Sequence, residues 1–137
     1  MSKEEREAFL AEPHVGVLCV ARATTEAPVA APVWYGYEPG AEVLVVSGRD
    51  HEKTRLVREH GYASLCAQTE ELPYKFVTVE GPAEVRDESD PELQRALAHR
   101  YLGPELGDAY LEGTAGEAVS IISIRPERWR TTDFAKM

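Results

Sequence analysis

The residues best equipped for chemistry sit together in Ser47-Gly48-Arg49-Asp50-His51-Glu52-Lys53-Thr54-Arg55-Leu56. Between Ser47 and Arg58 the chain carries four bases against two acids, although its formal net charge is -9. The run Val43-Leu44-Val45-Val46 just before is short and β-branched, which predicts a buried strand, and Ser47-Gly48 ends it. Asp50 is then expected to N-cap a helix running to His60, with His51, Glu52 and Lys53 in its first turn. The free N–H groups and dipole of such a turn attract an anion, and Arg49 and Lys53 add a planar fork and a point charge. One phosphate would satisfy all of these. A solvated amphipathic helix, with Leu56 and Val57 inward and its charges in water, explains the same pattern, and both readings stand at this point.

Little else in the chain spells out a reaction. His14, His51, His60 and His99 have no metal-ligand spacing, and there is no CxxC, no G-x-S-x-G, no P-loop and no G-x-G-x-x-G. His51 or Tyr35 could act as general acid or base, and His51 could equally donate to a phosphate or simply be solvated. Cys19 and Cys66 lie in apolar strand-like runs and are expected to be buried, reduced thiols. Arg125, Arg128 and Arg130 flank Trp129, where they could meet an acidic ligand tail or form a solvated edge. The acidic balance argues against a sequence-independent grip on nucleic acid. No run approaches the roughly 18 apolar residues of a membrane span, and the charged start Met1 to Glu7 lacks a signal-peptide core, so a cytoplasmic protein is expected.

The elements that must hold the basic stretch follow from the punctuation of the chain. Its 137 residues, 43% hydrophobic, suit one domain spanning 1–137. Ser2 and Glu5 have capping-box spacing for a short helix stopped by Pro13. Strands are expected at Val15 to Ala23, Pro28 to Glu38 and Glu42 to Ser47, as two hairpins in series. After the helix, closed at Gly61, come strands at Tyr62 to Gln68 and Tyr74 to Arg86. Gly81-Pro82 inside the latter predicts a bulge or an exposed edge. Asp90-Pro91 opens a helix to Gly103, with a further piece from Pro104 to Glu112 after a kink, and Val119 to Ile124 is the sixth strand. Turns this short exclude parallel crossovers among the first strands, so the fold class is mainly β (α+β), a small antiparallel barrel.

In this order and spacing the chain resembles the pyridoxamine-5'-phosphate-oxidase-like split barrels, in particular the single-domain actinobacterial branch that uses FMN or the deazaflavin F420. The resemblance runs from about His14 to Gly103. It rests on His14-Val15-Gly16-Val17-Leu18, on Pro32-Val33-Trp34-Tyr35, on Ser47-x-Arg49-x-x-x-Lys53-x-x-Leu56, and on Pro73-Tyr74-Lys75-Phe76-Val77-x-Val79-x-Gly81. It implies a six-stranded split β-barrel and a homodimer with cofactor grooves at the interface. It also implies that Arg49 and Lys53 hold the cofactor phosphate, with Ser47 close to the phosphate or ribityl chain. Backbone at Pro32, Val33 and Trp34 would lie against the ring, and Tyr74 and Lys75 would reach in from the other subunit. Trp34, Tyr35 and Tyr74 could equally be barrel core or dimer interface. His51, where many relatives have Ser or Ala, and Arg55, where Asn is common, depart from the family pattern. The implied activity is hydride exchange between F420 or FMN and a small unsaturated organic substrate. A non-catalytic FMN, F420 or haem carrier or sensor is the alternative.

Overall fold

Alternation of buried and half-buried residues every second position defines the strands of the computed structural model, which describes residues 1–136. The elements are helix α1 (Lys3–Ala11), strands β1 (Gly16–Val20), β2 (Val29–Val33) and β3 (Val43–Gly48), helix α2 (Glu52–His60), strands β4 (Tyr62–Gln68) and β5 (Lys75–Arg86), helix α3 (Pro91–Gly113), and strands β6 (Val119–Ile124) and β7 (Arg128–Asp133). A single 3-10 turn, Phe134–Lys136, follows. All pairings are antiparallel, in the order β2-β1-β4-β5-β6-β3, with β7 added alongside β5. Leu18, Val45, Leu65, Val77, Val79 and Ile122 point inward and are fully buried, while Phe9 and Leu10 of α1 complete the same core.

The curled sheet closes through a single bridge. Gly36 and Leu44 exchange both backbone hydrogen bonds, each 2.9 Å, and so tie the end of the β2 segment to β3. The expected second hairpin is reduced to that contact, and the full-length pairing of β3 is with β6, from Val43–Ile124 to Gly48–Val119. A seventh strand lies beyond the six read from sequence. Arg128–Asp133 is polar, Arg-Trp-Arg-Thr-Thr-Asp, and its alternation is too weak to announce a strand.

Neither a bulge nor an exposed edge occurs at Gly81-Pro82. The strand runs unbroken, and this is where it changes partners, from β7 at Lys75 to Glu80 to β6 at Ala83 to Arg86. The carbonyl of Arg125 sits 1.8 Å from where a Cβ on Gly81 would be, so only glycine fits. Proline is tolerated beside it because its carbonyl, which accepts from Arg125 N–H at 2.9 Å, is what the corner uses.

The remaining local signals appear as expected. Ser2 and Glu5 form a reciprocal capping box on α1, Gly61 ends α2 in the left-handed region (φ 67°), and Asp90 caps α3 before Pro91. Helix α3 kinks at Gly103 (φ 81°) before Pro104. Both thiols differ from expectation: Cys19 and Cys66 are half-buried rather than buried, because their register puts them on the outward faces of β1 and β4, beside Val17 and Ser64.

Candidate functional site

The chain after β2 meets β3 at the Gly36–Leu44 bridge, and a cleft of about 670 Å³ lies between Pro32–Trp34 and the end of β3. Pro32, Val33 and Trp34 form one wall and Val46, Ser47, Gly48, Arg49 and Lys53 the other, with Leu97, Tyr110, Leu111 and Val119 closing the side. Its size is ordinary for a small-molecule site.

The basic end is built by the connection from β3 to α2. His51 N–H donates to the Gly48 carbonyl at 3.1 Å, closing a tight turn around Arg49 and Asp50. The helix therefore starts one residue later than expected. His51, not Asp50, is the N-cap, and its side chain makes no capping bond. Asp50 sits inside the turn and lines the cleft, and it accepts no hydrogen bond from the first helical N–H groups. Those groups have no side-chain acceptor among the described residues, which leaves a helix N-terminus open to an anion.

Around that terminus each charge has a defined state. The Lys53 ammonium is partly buried, which lowers its pKa from the ordinary value, and it donates to His51 Nδ1 at 3.1 Å. An anion beside Lys53 would offset the burial cost. Glu52, the acid in the first turn, is drawn out of the cleft by ion pairs with Arg22 and with Arg55. Arg49 Nη2 donates to the Val119 carbonyl at 2.8 Å and its backbone N–H to Ala118 at 3.0 Å, while Nη1 has no hydrogen-bond partner among the described residues. Ser47 contributes differently from expectation. Thr54 Oγ1 donates to the Gly48 carbonyl, so the Ser47 hydroxyl spends its proton on Thr54 (2.8 Å) and offers the cleft mainly backbone.

The far wall is aromatic. Trp34 stacks on Tyr101 with ring centroids 5.2 Å apart and planes at 6°, and meets Tyr110 at 5.0 Å with the rings tilted by 54°. Tyr101 in turn donates to the His14 carbonyl (2.7 Å) and accepts from Tyr35 N–H (3.1 Å), so α3 is pinned to the chain just before β1 and just after β2. Tyr35 belongs to the core. It is fully buried, its hydroxyl donates to the Leu10 carbonyl at 2.7 Å, and burial pushes its pKa well above the usual phenol range. That excludes the acid–base role considered for it, and it does not line the cleft.

Of the residues singled out from sequence, Pro32, Val33, Trp34, Ser47, Arg49 and Lys53 are brought together in this cleft. Tyr74 and Lys75 are not; they sit at the start of β5, Tyr74 nearly half exposed and Lys75 opposite Asp133. Arg125 and Arg130 also lie elsewhere, paired with Glu127 and Glu80 at 3.2 Å each. Sequence reasoning missed Tyr110 as a wall residue. Nine positions separate it from Tyr101, and only the Gly103 kink lets both rings meet Trp34.

A family model described as pyridoxamine 5'-phosphate oxidase matches residues 2–133. The chain belongs to that family. Solved structures share its fold at low identity. A conserved hypothetical protein, Rv2991, from Mycobacterium tuberculosis is 22% identical over 99% of this chain and 87% of its own, with a TM-score of 0.77. An F420 reductase is 19% identical over 90% and 94%, with a TM-score of 0.71. A FAD-binding protein from Mesorhizobium loti is 21% identical over 96% and 92%, with a TM-score of 0.70. At such identities the likeness speaks for the fold. No curated protein matches the sequence. Among the described residues no helix is long and apolar enough to cross a membrane.

Proposed function

We propose that the cleft binds a phosphate-bearing flavin-type cofactor, F420 or FMN, and that the protein is an oxidoreductase acting on a small unsaturated organic substrate. One observation carries this reading: an uncapped helix N-terminus with Arg49 and Lys53 lines the same cleft as Pro32, Val33 and the aromatic Trp34. A cofactor with a phosphate tail and a flat, largely apolar ring needs both kinds of lining in one site. Membership of the family and the fold shared with an F420 reductase and a FAD-binding protein support it.

In this reading Arg49, Lys53 and the first N–H groups of α2 hold the phosphate. His51 lines the cleft beside Lys53 at the same terminus, and the backbone of Pro32 to Trp34 lies along the ring, with Trp34 held by its stack on Tyr101. The bound ring supplies hydride exchange; the chain supplies orientation and a dry wall. That division of labour accounts for a cleft with no acid–base pair poised for catalysis. Tyr74 and Lys75 enter through a second copy. Pro32 lies both in the cleft and on the outward face formed by Val17, Cys66 and Thr78 in register, so a partner packed on that face would abut the cleft. The half-exposed Val15 and Tyr74 are consistent with a face covered in a dimer.

Titration of the purified protein with FMN, F420 and haem, followed by turnover of the reduced cofactor with a panel of enones and quinones, tests the proposal. Binding of FMN or F420 with turnover is the expected result. Tight binding without turnover would indicate a carrier, and failure to bind either would refute the reading.

A further inference from the structure

We propose that Asp87 is a positioning residue for Arg49: its carboxylate, fixed by Arg58 and Ser120, holds the guanidinium so that Nη1 is left to the cleft. The proposal deepens the phosphate reading given above and rests on it.

Asp87 follows the last residue of β5 and does not line the cleft, yet groups from three other elements converge on it. Arg58 of α2 donates to it twice, Nη1 to Oδ2 at 2.9 Å and Nη2 to Oδ1 at 2.5 Å. The hydroxyl of Ser120, fully buried in β6, donates to Oδ1. Arg49, in the turn after β3, places Nε 3.7 Å from the same Oδ1. That Nε is sealed from solvent and makes no hydrogen bond, so the adjacent carboxylate is what balances its charge. With Nη2 on the Val119 carbonyl, the guanidinium is held at two points, and Nη1 is the nitrogen left over. Arg58 and Ser120 draw the Asp87 carboxyl down to about 2, so it stays ionised at neutral pH.

An exposed ion pair adds little to stability, so the value of this cluster lies in geometry. Arginine loses much rotamer freedom when immobilised. A partner that orders it beforehand spares the ligand a cost equivalent to about a three- to ten-fold loss in affinity. Asp87 also repels a bound phosphate. For a carboxylate this exposed, in physiological salt, that opposing effect is under about a factor of two. The two effects have opposite signs, and positioning is the larger.

The test compares wild type, D87A, D87N, R49A and the D87A/R49A double variant. Each is titrated with FMN and riboflavin, and with F420 and its phosphate-free chromophore. We expect D87A to weaken the phosphate-bearing ligands about three- to ten-fold, to leave the phosphate-free ones unchanged, and to add nothing once Arg49 is gone. D87N retains an acceptor and falls between; it carries the same comparison if D87A does not fold. Tighter binding by D87A, equal loss for both kinds of ligand, or an undiminished effect in the R49A background overturns the proposal while leaving the phosphate reading intact. If R49A itself discriminates FMN from riboflavin as wild type does, the phosphate reading fails, and the role of Asp87 fails with it.

Discussion

Replacing Arg49 by alanine is the most direct probe of the cleft, because the expected loss can be worked from its contacts. The side chain makes one hydrogen bond, to the Val119 carbonyl, lies 3.7 Å from Asp87 through Nε, and leaves Nη1 free to form a charge-assisted hydrogen bond, which is worth about 1.5–3 kcal/mol. With 39% of the side chain exposed, solvent and salt screen the charge and favour the lower half of that range. Asp50 and Glu117 also line the cleft, and once Arg49 is removed their repulsion of an anion is less opposed. The result is about a ten- to fifty-fold weaker phosphate-bearing cofactor. Riboflavin, with no phosphate, should bind R49A as it binds wild type. Stability should fall by only about 0.5–1.5 kcal/mol, the net worth of the lost bond to β6. Fluorescence titration with FMN and riboflavin, alongside a melting curve, reads all three quantities. An unchanged FMN-to-riboflavin ratio in R49A would refute the reasoning, whatever the melting curve did.

Four further outcomes follow from the geometry. Lys53→Ala should also weaken FMN about ten-fold or more, since a partly buried ammonium at the helix terminus is lost, and the same titration reads it. Gly81→Ala should cost about 3 kcal/mol or more in urea denaturation, because the new Cβ meets backbone at the Arg125 carbonyl, where no side chain can give way. Tyr101→Phe should destabilise by about 1–3 kcal/mol, leaving Tyr35 N–H and the His14 carbonyl unpaired, while the retained ring preserves the stack on Trp34. Glu5 is lowered from its ordinary 4.5 to about 2, chiefly by Lys136 and then by Ser2, so its contribution to stability is present above pH 4.5 and lost as pH falls toward 2. The gap in melting temperature between wild type and Glu5→Gln should therefore close over that window, and a gap constant from pH 7 to 2 would count against it.

Much of the fold was legible because its punctuation is local. Gly61, the Ser2 and Glu5 box, and Asp90-Pro91 each act on backbone groups a few residues away, and each performs in the structure the role its neighbours predict. Features decided at long range were not. Gly81-Pro82 looks like an interruption in one dimension, yet in three it is the corner where β5 passes from β7 to β6, and Arg125, which requires the glycine, is 44 positions away. The partner of β3 was misjudged in the same way. A strand read as returning to its neighbour instead pairs along its length with β6, because that pairing buries Val43 and Val45 against Ile124 and Ile122.

The candidate site divides along the same line. Arg49 and Lys53 could be picked out because both flank one helix start and their charge runs against that of the whole chain. Asp87 could not, since nothing in Val-Arg-Asp-Glu-Ser distinguishes a surface acid from one receiving two arginines and a buried serine. Tyr74 and Lys75 present the opposite difficulty. An exposed Tyr74 just before β5 and a half-buried Lys75 opening it are what either a solvated edge or an interface half requires, and a single chain carries no pattern that separates the two. The FMN titrations distinguish them if repeated with Lys75→Ala. A residue delivered by a partner should alter cofactor affinity only at protein concentrations where the dimer persists, whereas a solvated edge should alter it at none.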